Sequence, residues 1–310
     1  MTHRNIVTIA VILAWFVVML GAYTRLTDAG LGCPDWPGCY GHLVVKSGLH
    51  VESLKAWTEM IHRYLAGTLA LLILVVFIQS VPRLVPSCLL VLVIFQALLG
   101  MWTVTLKLLP IVVMSHLLGG MLIFSLLVLY RTQLSYIRTV PASPLRVWVL
   151  LGAVIVFCQI ALGGWVTANY AGIACIGFPQ CNGLWLPHFD FTHGFYLFSP
   201  IGDNYQGGLL ASQARITIQL MHRLGAVVTL LYWLSLVIAI HAKSRMQELK
   251  RVSRYALILL ALQLCLGVLN AVYLLPLPVA VLHNGVAALL MATSMMLVFI
   301  AKGRIKPYGC

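Results

Sequence analysis

The stretch WTEMIHRYLAGTLALLILVVFI, residues 57–78, carries no charge after Arg63. From there it is apolar for long enough to approach, as a helix, the span of a hydrocarbon core about 30 Å thick. Glu59, His62 and Arg63 sit in its first turns, so it reads as a membrane span that carries polar chemistry into lipid. Seven further stretches have similar length and character, at 5–25, 86–106, 111–131, 146–168, 213–241, 254–273 and 279–301. The sequence therefore predicts an all-α membrane protein of eight transmembrane helices. Composition agrees: 61% of the 310 residues are hydrophobic and 9% are charged, a balance that a water-soluble domain of this length cannot hide in its interior. The first stretch ends in Tyr23-Thr24-Arg25 without a small-x-small cleavage pattern and reads as a retained span.

The formal charge of +13 raises the question of nucleic acid, and the positions of the charges answer it. Arg4, Arg83, Arg131, Arg138, Arg146, Lys243, Arg245, Lys250, Arg251, Arg254, Lys302, Arg304 and Lys306 fall at the termini or in the even-numbered loops. That is the bias of cytoplasmic loops, spread over one membrane face rather than gathered into a groove for RNA or DNA. Both termini are expected in the cytoplasm, with two long loops, 26–56 and 169–212, on the outer face. No mitochondrial transit pattern is seen, so the bacterial cytoplasmic membrane is the expected location.

Laid against itself, the chain repeats. Leu20-Gly21, Cys33 and Cys39 return as Leu162-Gly163, Cys175 and Cys181 at an offset of 142. His62-Arg63 returns as His222-Arg223 at 160, while Gln96, Gly100 and His116 return as Gln263, Gly267 and His283 at 167. Polar residues match, not only leucines, and the offset grows only where loops absorb insertions. Each unit holds an even number of spans, so both enter the membrane in the same sense. Two repeat-related four-helix bundles are expected, residues 1–140 and 141–310, about an axis along the membrane normal.

His62, His116, His222 and His283 lie on spans that start from the outer face. All four fall at a similar depth, roughly 8–15 Å below the helix starts at a rise of 1.5 Å per residue. Two imidazoles facing each other across a bundle at one depth form a site for haem iron. Zinc and copper usually add carboxylate or thiolate ligands, and only one carboxylate lies near these rings. His3, His42, His50, His188, His193 and His241 fall in loops or at helix ends and read as surface residues.

That carboxylate is Glu59, one turn before His62 and on the same helix face. Its repeat counterpart is Gln219, an amide that can neither take a proton nor neutralise a cation as a carboxylate can. The N-terminal half is therefore expected to be the reactive one. Pairing of Glu59 with Arg63 is the plainer alternative. Arg63 and Arg223 are candidates to meet haem propionates or to reach for lipid headgroups. Cys33 with Cys39, and Cys175 with Cys181, stand in the outer loops, where disulfides form; loop bracing and a redox role both fit. Cys88, Cys158, Cys265 and Cys310 read as packing residues.

The run Gly30-Leu31-Gly32-Cys33-Pro34-Asp35-Trp36-Pro37-Gly38-Cys39, then Glu59-Met60-Ile61-His62-Arg63, then the three later histidines, resembles the haem A synthase family. The resemblance covers all eight spans. It implies oxidation of the C8 methyl of haem O to a formyl group, giving haem A for terminal oxidases. It further implies haem b as cofactor on His222 and His283 and substrate haem on His62 and His116, and the one-turn spacing of Glu59 from His62 makes Glu59 the expected catalytic group, taking up a proton or steadying a cationic intermediate. Cys33 and Cys39 are implied to matter for activity. The expected partners are membrane lipid, haem O synthase, an electron donor that the sequence does not name and, as an open option, a second copy of the chain. The rival reading is a di-haem b electron-transfer protein that does no chemistry on its haems and gains nothing from Glu59.

Overall fold

The computed structural model describes residues 2–45, 53–81, 84–135 and 142–303. Arg83, Arg138, Arg304, Lys306, His50 and Cys310 lie outside them. Among the described residues the elements are helices: α1 (His3–Leu26), α2 (Ser53–Ile78), α3 (Leu84–Thr105), α4 (Pro110–Gln133), α5 (Arg146–Ala168), α6 (Phe191–Gly194), α7 (Ser212–Lys243), α8 (Gln247–Val272) and α9 (Leu277–Lys302). All but the short α6 are long and apolar enough to cross a membrane, eight spans in total. In lipid a helix satisfies its own backbone polar groups, which is why long apolar runs take this form. Pro110 and Pro278 fall within the first two positions of α4 and α9, where a missing N–H leaves no helix bond unmade.

The backbone turns repeat as the sequence does. The eight non-glycine residues of positive φ form four pairs: Asp28 with Tyr170 and Tyr40 with Asn182 at the offset of 142, Lys107 with Leu274 and Leu108 with Leu275 at 167. The left-handed region disfavours side chains, so its recurrence marks one turn geometry used twice.

Helix packing follows suit. In the first half α1 contacts α2 and α4, and α3 contacts the same two; in the second, α5 contacts α7 and α9, and α8 contacts the same two. Between halves, α1 against α9 is answered by α5 against α4, and α4 meets α9. The pattern is consistent with two related four-helix bundles joined along α4 and α9, the two most enclosed spans. Ala287, Ala288 and Ala292 of α9 join the core built on Met121, Phe124 and Leu127 of α4, small residues that let helices approach closely. At the seam the Trp15 indole donates to the Gly285 carbonyl at 3.0 Å. At the C-terminal ends of α1 and α5 Arg25 donates to Thr167 O at 2.6 Å and lies 3.8 Å over the Tyr170 ring. Cys88, Cys158 and Cys265 are free and exposed, outside the packed core where the sequence reading put them.

Candidate functional site

His62 stands on α2, His116 on α4, His222 on α7 and His283 on α9, each six to ten residues from the start of its helix. His62 and His116 are close enough to interact electrostatically, and so are His222 and His283. The partners are those that the repeat pairs. Nδ1 of His62, His116 and His283 is enclosed without a protein partner. Leaving a polar nitrogen buried and unpaired is costly unless something binds there.

A feature without an assigned role in the sequence reading explains how the rings are seated. Each lies against a glycine of the neighbouring helix in its own half. A Cβ on Gly21 would stand 3.0 Å from the His62 ring, on Gly100 3.2 Å from His116, on Gly163 3.0 Å from His222 and on Gly267 3.3 Å from His283. Carbon contacts settle at about 3.5–4.0 Å, so any larger residue would push the imidazole away. The signal was in the sequence, because these glycines are among the repeat's matched positions.

The two long disulfide-bonded loops pack against the helices that carry His62 and His222. Cys33 is bonded to Cys39 and Cys175 to Cys181, each with Cα atoms 4.8 Å apart. In the first loop Gly32 approaches the backbone of α2 so closely that a Cβ there would stand 2.7 Å from the Lys55 carbonyl carbon. The contact brings the Cys33 N–H onto Glu59 Oε2, 2.8 Å away. Glu59 Oε1 meets Arg63 Nη2 at 2.5 Å, and the carboxylate is only 5% exposed. The pairing with Arg63 is thus present, in a buried setting. In the second half Gln219 is also buried, and its Oε1 has no protein partner.

Arg63 and Arg223 turn to the loops above them. Arg63 donates to the carbonyls of Asp35, at 2.9 Å, and Gly38. Arg223 donates to Cys175 O at 2.7 Å and Gln180 O at 3.3 Å. Propionate contacts, as the sequence suggested for them, would have to share these donors. His193 of α6 pairs with Asp190 and its side chain is 73% exposed. Among the described residues no three His, Cys, Asp or Glu side chains gather as a bare metal ion would need. A porphyrin supplies four nitrogens of its own and needs only two axial imidazoles, so enclosed histidine pairs with unpaired nitrogens and glycine-cut seats fit haem.

Residues 4–295 match the family model COX15-CtaA, cytochrome oxidase assembly protein. The chain is 42% identical to a protein named Heme A synthase from Shewanella oneidensis, over 92% of each chain. It is 26% identical, over 92% of each, to one of the same name from Caulobacter sp. strain K31. A third, from Caulobacter vibrioides, is 28% identical over 90% of each.

Proposed function

The chain belongs to the COX15-CtaA family of cytochrome oxidase assembly proteins, and from that premise we propose that it oxidises the C8 methyl group of haem O to the formyl group of haem A. The observation that carries this reading is Glu59, the one buried acid among the described residues: two histidine pairs are alike in seating, and only the first has a carboxylate one turn away. An electron carrier with two permanent haems has no use for that difference.

In this reading His62 and His116 hold the substrate haem, and His222 and His283 hold haem b. Haem b, when bound, supplies one-electron transfer. Converting a methyl to a formyl group consumes one water and releases four electrons and four protons, by way of a hydrated aldehyde that loses water, and the electrons leave to an acceptor outside this chain. A base beside the methyl is therefore needed. Glu59 is that base, oriented by the Cys33 N–H and by Arg63. The first loop, fastened to Glu59 and Arg63, keeps bulk water from the reacting edge. Gln219 keeps the second pair free of such chemistry.

The protein acts in a bacterial cytoplasmic membrane with both termini inside, as its basic loops direct. Haem O synthase is the natural partner, since haem O is too apolar to travel through water. The test is Glu59→Gln. That variant should retain bound haem and lose haem A production, with haem O accumulating; normal haem A formation would refute the assignment.

A further inference from the structure

The four seating glycines share a second pattern. One turn before three of them stands a glutamine: Gln96 before Gly100, Gln159 before Gly163, Gln263 before Gly267. Before Gly21 the residue is Val17, which the offset of 142 aligns with Gln159. The glutamines turn to the histidines. Gln159 Nε2 lies 3.1 Å from His222 Nδ1 and 2.9 Å from the His222 carbonyl. Gln263 Nε2 lies 3.1 Å from His283 Nε2. Gln96 donates to the His116 carbonyl at 2.7 Å and leaves that ring's Nδ1 without a partner. Val17 packs among apolar side chains of the first-half core, and no amide reaches His62.

The four imidazoles are thus graded. His222 and His283 each have a glutamine side chain at a ring nitrogen, His116 is held by Gln96 at its carbonyl and by its ring against the Gln96 backbone, and His62 has neither. A hydrogen bond to the non-ligating nitrogen fixes an imidazole's plane and raises its strength as a ligand, and its loss typically weakens metal binding by about 10–100-fold. Gln159 presents its amide N–H to both the ring and the carbonyl of His222, and the Oε1 atoms of Gln159 and Gln263 have no protein partner.

We propose that Gln159 and Gln263 are positioning residues that lock the second-half imidazoles onto a permanent haem, and that Val17 leaves His62 the one axial ligand able to let go. The first-half site can then release its product and accept a new substrate, while the second keeps its cofactor through every turnover. This rests on the two-haem reading above and goes beyond it by naming what separates a resident site from an exchanging one.

The experiment uses the full-length protein purified in detergent, comparing Gln159→Leu, Gln159→Glu and Val17→Gln with the unaltered chain. Haem content, the midpoint potential of the second-half haem and the rate of haem capture by apomyoglobin are read. A carboxylate at 159 can only accept from the His222 ring N–H and makes His222 the stronger donor to iron, whereas the amide presents its N–H and leucine offers neither, so Gln159→Glu should have the lowest potential of the three. Gln159→Leu should speed haem loss from the second half about tenfold, and Val17→Gln should slow haem release from the first half about tenfold. Should the Leu variant lose its haem outright, retention by the Glu variant supports the proposal equally, since a merely space-filling role would not distinguish them so. Unchanged potentials, a Gln159→Glu potential that is not the lowest, haem loss in both 159 variants alike, or unaltered release from Val17→Gln would overturn it. Absence of haem from the second half of the unaltered protein would instead overturn the functional reading.

Discussion

The two halves share a frame and differ at a few positions. Both seat their histidines against glycines, pack a disulfide loop against the helix of the pair's first histidine and anchor that loop through the arginine after the histidine. Against this, Glu59 faces Gln219, and Val17 faces Gln159. The shared set is what any haem site needs: room for a ring and two imidazoles. In the reading proposed above, the differing set governs what happens once haem is bound, namely whether a base stands by and whether a ligand can move. A duplicated bundle can thus become reagent and reactant holder through single side chains, because the backbone frame is already paid for.

The largest effect that can break this comparison lies in the glycine seats. A leucine at 163 or at 21 drives carbon into a ring that already stands about 3 Å from where the Cβ would be. Overpacking of this kind costs about 1–3 kcal/mol, roughly a five- to hundredfold weaker grip. Gly163→Leu should lose both the resident haem and haem A production. Gly21→Leu should keep the resident haem and lose the product. Haem extraction from the two purified variants reads the difference, and matched losses would mean the halves are not divided as proposed.

A middle-sized effect separates the loops. Closing so short a loop with a disulfide is worth about 2 kcal/mol in the chain-entropy account, and that should be similar for both pairs. Only the first loop puts a backbone N–H on the acid. Replacing Cys33 and Cys39 by serine should therefore lower haem A output more than replacing Cys175 and Cys181, at comparable thermal destabilisation. Equal loss of output from both would remove the loop's link to Glu59 from the account.

Much of this was legible in the sequence, and the reason is lipid. Apolar length announces a span, and each of the eight stretches lies on a helix with ends shifted by a few residues, the largest shift at α8, which begins at Gln247 rather than 254. The polar start of α8, with Lys250 and Arg251, hid its first turns from a reading based on apolarity. Histidines and cysteines stood out because polar residues that recur in a membrane protein need a reason. Contacts made by common residues stayed hidden. Gly21 and Gly163 were visible as matches, but that each is a seat for a ring on another helix depends on interhelical distance. Gln159 escaped notice altogether, since its repeat partner is Val17 and a search for matches passes over the positions that differ. The arginines were read toward propionates because a loop's carbonyls cannot be located from spacing.

The smallest effect concerns how each loop is closed. In the first, Asp35 accepts from the Tyr40 N–H at 2.6 Å and the Gly41 N–H at 2.8 Å. In the second, Asn182 accepts from the Ile176 N–H at 2.9 Å and donates to Ala174 O at 3.1 Å. Desolvation pushes the Asp35 carboxyl up, but the N–H bonds from Gly41 and Tyr40 outweigh it and hold the group below its usual 3.8. A lowered folded-state value means that the bonds contribute in full above the unfolded value and are lost as pH falls through the folded one. Hydrogen exchange in residues 33–45, corrected for its intrinsic pH dependence, should therefore quicken only in acid below the ordinary aspartate range, as pH falls through the lowered value of Asp35. Residues 175–184, closed by a neutral amide, should show no such change, and Asp35→Asn should abolish the acid response of the first loop. If both loops loosen together in acid, the clamp is common to them and Asp35 is not what sets the first apart.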